Sequence, residues 1–161
     1  MTHKIVVAVS FESGHRLPHL TGKCVSLHGH SWSAEVTVGA SELSPAATVV
    51  EFGDLKAGLR RWIDDHLDHA TMLGTDDPLI TPLTIAGSRV FRFGADDPED
   101  DAEAFASGLP WPTVEAVTVL LGRVAENVLS RISHIDGARV ERVLVRETRL
   151  NSAIHEPSAP R

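Results

Sequence analysis

The chain has 161 residues, a formal net charge of −7, nine histidines and one cysteine. That length suits one domain with one core, and the acidic balance argues against a nucleic-acid surface, because such surfaces lay Lys and Arg along one face. A lone cysteine excludes an internal disulfide; with no charged-then-apolar N-terminal pattern and no run of about 18 apolar residues, the expected setting is the cytoplasm, without membrane partners.

Lys4 to Phe11 reads as a strand, with Ile5, Val7, Val9 and Phe11 on one face and His15 continuing in phase. Residues 13–27 are punctuated by Gly14, Pro18 and Gly22 and form a loop that returns the chain. In the strand that follows, His28 and His30 share the phase of Trp32, Ala34, Val36 and Val38, while Ser31, Ser33, Glu35 and Thr37 take the other face. Residues two apart on a strand lie roughly 6.5–7 Å apart, a separation suited to two ligands of one metal ion. Antiparallel pairing of the two strands brings His15 to His28 and His30 at one end of the sheet. Three histidines and one open position make a catalytic zinc site.

A connection through Ser44-Pro45 leads to a helix whose stripe is Phe52, Leu55, Leu59, Trp62, Ile63 and Leu67, ending near Asp68-His69. Gly74 to Pro78 reads as a turn, residues 84–93 as a short hairpin around Gly87-Ser88, and the acidic run Asp96–Glu103 as a solvated loop. A second helix begins at Pro112-Thr113-Val114-Glu115, with Thr113 as N-cap and Glu115 in the first turn. Its stripe is Val117, Leu120, Leu121, Val124, Val128 and Ile132. In the strand expected over 139–148, Val143, Val145 and Glu147 share a face opposite Val140 and Leu144. A carboxylate on a buried-side phase costs several kcal/mol, roughly, if unpaired, so Glu147 needs a ligand or a cation. A last strand spans 152–155, and 157–161 should fray. The expected architecture is α+β: a four-stranded antiparallel sheet with two helices on one face, order ββααββ. Residues 1–156 form one domain with 80–109 as a loop or hairpin insertion. Open edges and an uncovered face point to a homo-oligomer joined through strand edges.

Phe11-Glu12, His15-Arg16-Leu17-Pro18-His19, Cys24-x-x-x-His28-Gly29-His30, Leu67-Asp68-His69, Pro112-Thr113-x-Glu115 and Glu147-Thr148 together resemble the 6-pyruvoyl-tetrahydropterin synthase family. The spacing of Cys24 from His28 is similar to that of the bacterial 6-carboxy-tetrahydropterin synthases of queuosine and deazapurine biosynthesis. This resemblance implies a T-fold (tunnelling fold), a hexamer of two stacked trimers, zinc on His15, His28 and His30, and active sites shared between subunits. It implies a carbon–oxygen lyase that turns 7,8-dihydroneopterin triphosphate into 6-carboxy-tetrahydropterin, acetaldehyde and triphosphate. Cys24, Asp68 and His69 are then catalytic, and Thr113, Glu115 and Glu147 bind the pterin. Glu51-Phe52 and the stretch Ala70 to Gly74 depart from the family pattern without touching a ligand, and the long 80–109 segment alters one wall of the substrate pocket.

Each residue has a plainer reading. Cys24 is a small hydrophobe, a catalytic thiolate, or a fourth metal ligand displaced by substrate. His69 caps a helix, or lies past the helix end, or acts across a subunit boundary. Thr113 and Glu115 are caps only, Glu147 pairs with an arginine such as Arg146 of a neighbouring chain, and Arg16 and Lys23 are solvated or meet the triphosphate. Two other functions stay open: the sibling synthase reaction that keeps the three-carbon side chain, and a silent metal- or pterin-binding module.

Overall fold

The structure is a computed structural model and describes residues 2–96, 98 and 100–158. In chain order the elements are β1 (His3–His15), β2 (His28–Ala40), α1 (Phe52–His66), β3 (Ala70–Gly74), α2 (Ile80–Ile85), β4 (Val90–Phe93), α3 (Val114–Leu129), β5 (Arg139–Arg146) and β6 (Ser152–His155), with 3-10 turns at Lys23–Val25 and Asp101–Ala106. β1 and β2 pair antiparallel along their whole length, from His3 opposite Ala40 to His15 opposite His28. Their alternation buries Val7, Val9, Phe11, Trp32, Ala34, Val36 and Val38 on one face, as the pattern requires. Onto that face α1 delivers Leu55, Leu59 and Ile63, and α3 delivers Val117, Leu120, Leu121 and Val124, closing one core. Phe52, expected in the buried stripe, is the first residue of α1 and is 55% exposed.

The sheet has six strands in the order β4-β3-β1-β2-β5-β6, which corrects the four-stranded antiparallel reading and the order ββααββ. The two additional strands run parallel to β1, with Ser13 opposite Ala70 and Thr71 opposite Val90. β3 is five residues long and buried at all positions but Thr71, so it carries no alternation to betray it. The predicted hairpin is replaced by α2, closed by Gly87 at φ 82, and by β4. Residues 80–109 therefore supply an edge of the sheet.

Three local corrections follow. Between β2 and β5 the register shifts, since Thr37 faces Arg142 while Val38 faces Val140, leaving Glu141 as an extra residue. This bulge turns Val140 into the core beside Val143 and Val145 instead of opposite them. β5 also stops at Arg146, and Thr148 belongs to the turn that follows. Finally, the acidic run is not wholly solvated: Glu103 is 5% exposed, and its carboxylate accepts from Arg92 Nε at 3.0 and 3.2 Å, Arg92 Nη2 at 2.7 Å and the Arg92 backbone N–H at 2.9 Å. Asp97 and Glu99 of that run, and the tail beyond Ser158, lie outside the described residues. Among the described residues no helix is long and apolar enough to cross a membrane.

Candidate metal centre

β1 and β2 continue their core-facing phase past the hydrophobic side chains and end on histidines. Ser13 faces His30 and His15 faces His28 across the pair. One nitrogen from each of His15, His28 and His30 falls within 4.8 Å of the others, and among the described residues these make the one such group of three or more metal-capable side chains. Trp32 forms the floor: it is fully buried, lies edge-on to His15 and His30 at centroid distances of 5.1 and 5.6 Å, and donates from Nε1 to the Ser13 carbonyl at 3.0 Å.

Second partners fix the rings. His15 Nδ1 lies 2.8 Å from the carbonyl of Pro112, just before the N-cap of α3, and His28 Nδ1 lies 2.8 Å from the Ser26 carbonyl. A carbonyl only accepts, so both Nδ1 atoms carry the proton and both Nε2 atoms present lone pairs inward. Burial pushes the His15 pKa down to about 4 against the help of the Pro112 carbonyl, and burial lowers His30 as well. Both are therefore neutral at pH 7, the form that ligates. The Nε2 atoms of His15 and His30 are buried with no hydrogen-bond partner. Buried polar atoms are seldom left so. The donor set fits a borderline cation such as zinc, although nothing in the chain itself selects zinc from other imidazole-binding metals.

Glu147, one residue beyond β5, also enters this centre, with Oε1 3.3 Å from His15 Nε2 and 3.9 Å from His30 Nε2. Within the same chain Arg146 is turned to Glu35, its Nη1 donating to Oε1 at 2.6 Å. Thr113 caps α3 by accepting from the Ala116 N–H at 3.2 Å, and Glu115 is exposed in the first turn. Cys24 is exposed in its 3-10 turn, and its carbonyl accepts from the Leu17 N–H at 2.7 Å, closing the loop. Arg16 is not a solvated loop charge: Nε donates to the buried Asp77 at 2.8 Å.

Asp68 and His69 lie past the end of α1, in a turn where His69 takes φ 56. That left-handed conformation lets neighbours in sequence face each other, and Asp68 Oδ2 accepts from His69 Nδ1 at 2.9 Å. β1 clamps the pair twice, because the Glu12 N–H donates to Asp68 Oδ1 at 2.8 Å and the His69 N–H donates to the Glu12 carbonyl at 2.6 Å. The Glu12 N–H, followed by the His69 bond, holds the Asp68 carboxyl below the usual carboxylate range. The His69 ring is 76% exposed, in a shallow depression of about 410 Å³ that Glu12, Ser13, Gly14, Gly29, His30 and Ser31 also line. By strand phase the side chains of Glu12 and Ser31 point away from the face that carries the three histidines, and His30 is the member of the triad that also lines the depression. Sequence reading missed three contributors here: Pro112 behind His15, the Glu12 backbone beneath Asp68, and Arg89, which donates to the carbonyls of Asp64, Asp65 and Asp68. Only Glu12 and Pro112 fell within quoted motifs, and neither backbone role leaves a mark on residue type.

Such a sheet, backed by two helices and ending in three converging histidines, defines a T-fold protein with a candidate metal centre. The family model described as 6-pyruvoyl tetrahydropterin synthase matches residues 4–158. The chain belongs to that family. Its curated relatives include 6-carboxy-5,6,7,8-tetrahydropterin synthases from Synechocystis sp., 42% identical over 76 residues (43% of this chain, 59% of that protein), and from Aquifex aeolicus, 35% identical over 98 residues (52% and 60%). The one from Rickettsia conorii is 35% identical over 69 residues, 43% of this chain and 50% of that protein, so the match spans about half the length of such relatives. Among solved structures, an uncharacterised protein from Wolinella succinogenes superposes with a TM-score of 0.72 at 20% identity, covering 98% of this chain and 99% of the other. The Caenorhabditis elegans 6-pyruvoyl tetrahydropterin synthase gives 0.64 at 20% identity, covering 98% and 97%. At those identities the likeness is one of fold.

Proposed function

We propose that the chain is a zinc-dependent carbon–oxygen lyase that converts 7,8-dihydroneopterin triphosphate and water to 6-carboxy-5,6,7,8-tetrahydropterin, acetaldehyde and triphosphate, feeding queuosine or deazapurine biosynthesis in the cytoplasm. The observation that carries it is the convergence of His15, His28 and His30 with two buried, unpartnered Nε2 atoms, in a chain similar to synthases of that name. A bound zinc supplies Lewis acidity toward the side-chain oxygens of the substrate. Cys24 takes a carbon-bound proton, and His69 exchanges the second proton while Asp68 holds its Nδ1–H tautomer and stabilises its charged form. Glu147 accepts the pterin ring N–H and exocyclic amine as a bidentate pair, with Thr113 and Glu115 completing that pocket from the start of α3.

The exposure of His69, in a depression that His15 and His28 do not line, supports an active site completed by a neighbouring protomer, whose Asp68 and His69 reach this protomer's metal centre. A homo-oligomer, read as a hexamer of two stacked trimers, is thus part of the proposal. Zinc-loaded protein incubated with dihydroneopterin triphosphate should release one acetaldehyde for each triphosphate. A product retaining the three-carbon side chain, with no acetaldehyde, overturns the assignment in favour of the sibling reaction.

A further inference from the structure

The position of the Glu147 carboxylate is not explained by pterin binding. His15 is fully buried and its Nδ1 is taken up by the Pro112 carbonyl at 2.8 Å, so Nε2 is the ring atom left to face the centre. Glu147 Oε1 stands 3.3 Å from that atom, and Nε2 has no hydrogen-bond partner. A carboxylate oxygen and an imidazole nitrogen held this close in a sheltered site share a cation, a proton or a metal ion.

The distance fits a shared ligand shell. With metal–nitrogen bonds of 2.0–2.1 Å and metal–oxygen bonds of 2.0–2.2 Å, neighbouring ligand atoms of a tetrahedral zinc site stand about 3.3–3.5 Å apart. The separation of Oε1 from His15 Nε2 matches that edge, and the 3.9 Å to His30 Nε2 is a small side-chain rotation longer. The backbone beneath is held: the N–H groups of Glu147 and Thr148 both donate to the Asn151 carbonyl, at 3.1 and 3.3 Å, and Thr148 Oγ1 accepts from Leu150 and Asn151 at 3.2 and 3.0 Å. The carboxylate is therefore delivered by a braced turn. Cys24, the other candidate for a fourth ligand, is exposed.

We infer that Glu147 is the fourth protein ligand of the metal in the substrate-free protein, and that the pterin draws this carboxylate off the metal. The inference rests on the three-histidine zinc reading. It couples recognition to reactivity: a ring that captures the carboxylate opens a metal position next to its own side chain, and until then the metal is closed to other ligands.

The test is competition of the wild type, Glu147→Gln and Glu147→Ala against a chelator for zinc, with visible spectra of the cobalt(II) forms before and after addition of unsubstituted pterin. The expected result is one zinc per chain in all three, with affinity at least tenfold lower in both variants. The wild-type cobalt spectrum should change on adding pterin, and the variant spectra should already differ from it. Equal zinc affinity and an identical cobalt spectrum across the three overturn the inference while leaving the histidine site standing. Failure of the wild type to bind zinc, with His30→Ala indistinguishable from it, removes both. Matching melting temperatures of the metal-free forms establish that the variants are folded.

Discussion

Arg89→Ala tests whether the turn that carries Asp68 and His69 is held from outside. The last carbonyls of a helix lack intrahelical partners, and Arg89 supplies them: Nη1 donates to Asp64 at 3.1 Å and Asp65 at 2.8 Å, and Nη2 donates to Asp68. Its own carbonyl accepts from the Thr71 N–H at 2.9 Å, so the same residue pins both sides of the turn. The site is exposed and the freed carbonyls regain water, so three charged hydrogen bonds together contribute about 2 kcal/mol, less than their sum in a dry site. In a chain of 161 residues that lowers the melting temperature by about 4–8 °C. The left-handed His69 is itself strained by about 1–2 kcal/mol, and without the guanidinium the ring should wander. Since a displacement near 1 Å can lose about 100-fold in rate, kcat should fall by at least about tenfold, with KM within about twofold and zinc content unchanged. Arg89→Lys restores charge without the fork and should recover only part of both losses. Calorimetry and steady-state kinetics read the two effects. A lowered melting temperature with unchanged kcat would show that Arg89 supports the fold but not the pair, and no change in either would refute the argument.

Asp68→Asn places an amide where the Glu12 N–H and His69 Nδ1 both donate, so one donor loses its acceptor. The expected loss in kcat is about 10²–10⁴-fold, as for a mis-set histidine tautomer, and any Asp68 limb of the wild-type rate should lie below the usual carboxylate range, because the Glu12 N–H lowers that carboxyl. A pH–rate profile with that limb inside or above the usual carboxylate range contradicts the clamp. Cys24→Ala should keep zinc and pterin binding while kcat drops by at least about 100-fold; near-normal turnover reduces Cys24 to a loop residue. Metal-free protein should lose stability as pH falls from 6.5 toward about 4, because unfolded His15 binds its proton at the higher pH and buried His15 only at the lower. The loss across that window is about 3 kcal/mol, measurable by urea unfolding, and a flat profile would mean that His15 is not buried as described.

The β1–β2 pair, its register and the three-histidine cluster were legible because period-2 alternation runs unbroken from Val7 to His15 and from His28 to Val38. The two helices were legible for the same reason at period 3.6. β3 was not, since a short strand with nearly every position buried looks like any apolar pentad, and β4 reads from sequence as half of a hairpin although its partner is β3, beside it and parallel. The bulge at Glu141 changed which face Val140 takes, and only the pairing partner reveals a bulge. Contacts made through backbone atoms, such as those of Pro112 and Glu12, depend on where the chain passes and not on which side chain it bears there, and the carbonyls that Arg89 reaches are of the same kind.

Because the histidines prolong the same rows that bury Phe11 and Trp32, metal capacity is a readout of strand registry. Inserting one residue between Val9 and His15 would swing His15 to the solvent face while leaving the upstream pairing intact, whereas inserting two would return it inward one step out of line. A mispaired sheet would still collapse around its valines yet hold no ion tightly. Metal uptake during refolding would then count correctly zipped molecules, and would trail the return of secondary structure by whatever time strand slippage takes to resolve.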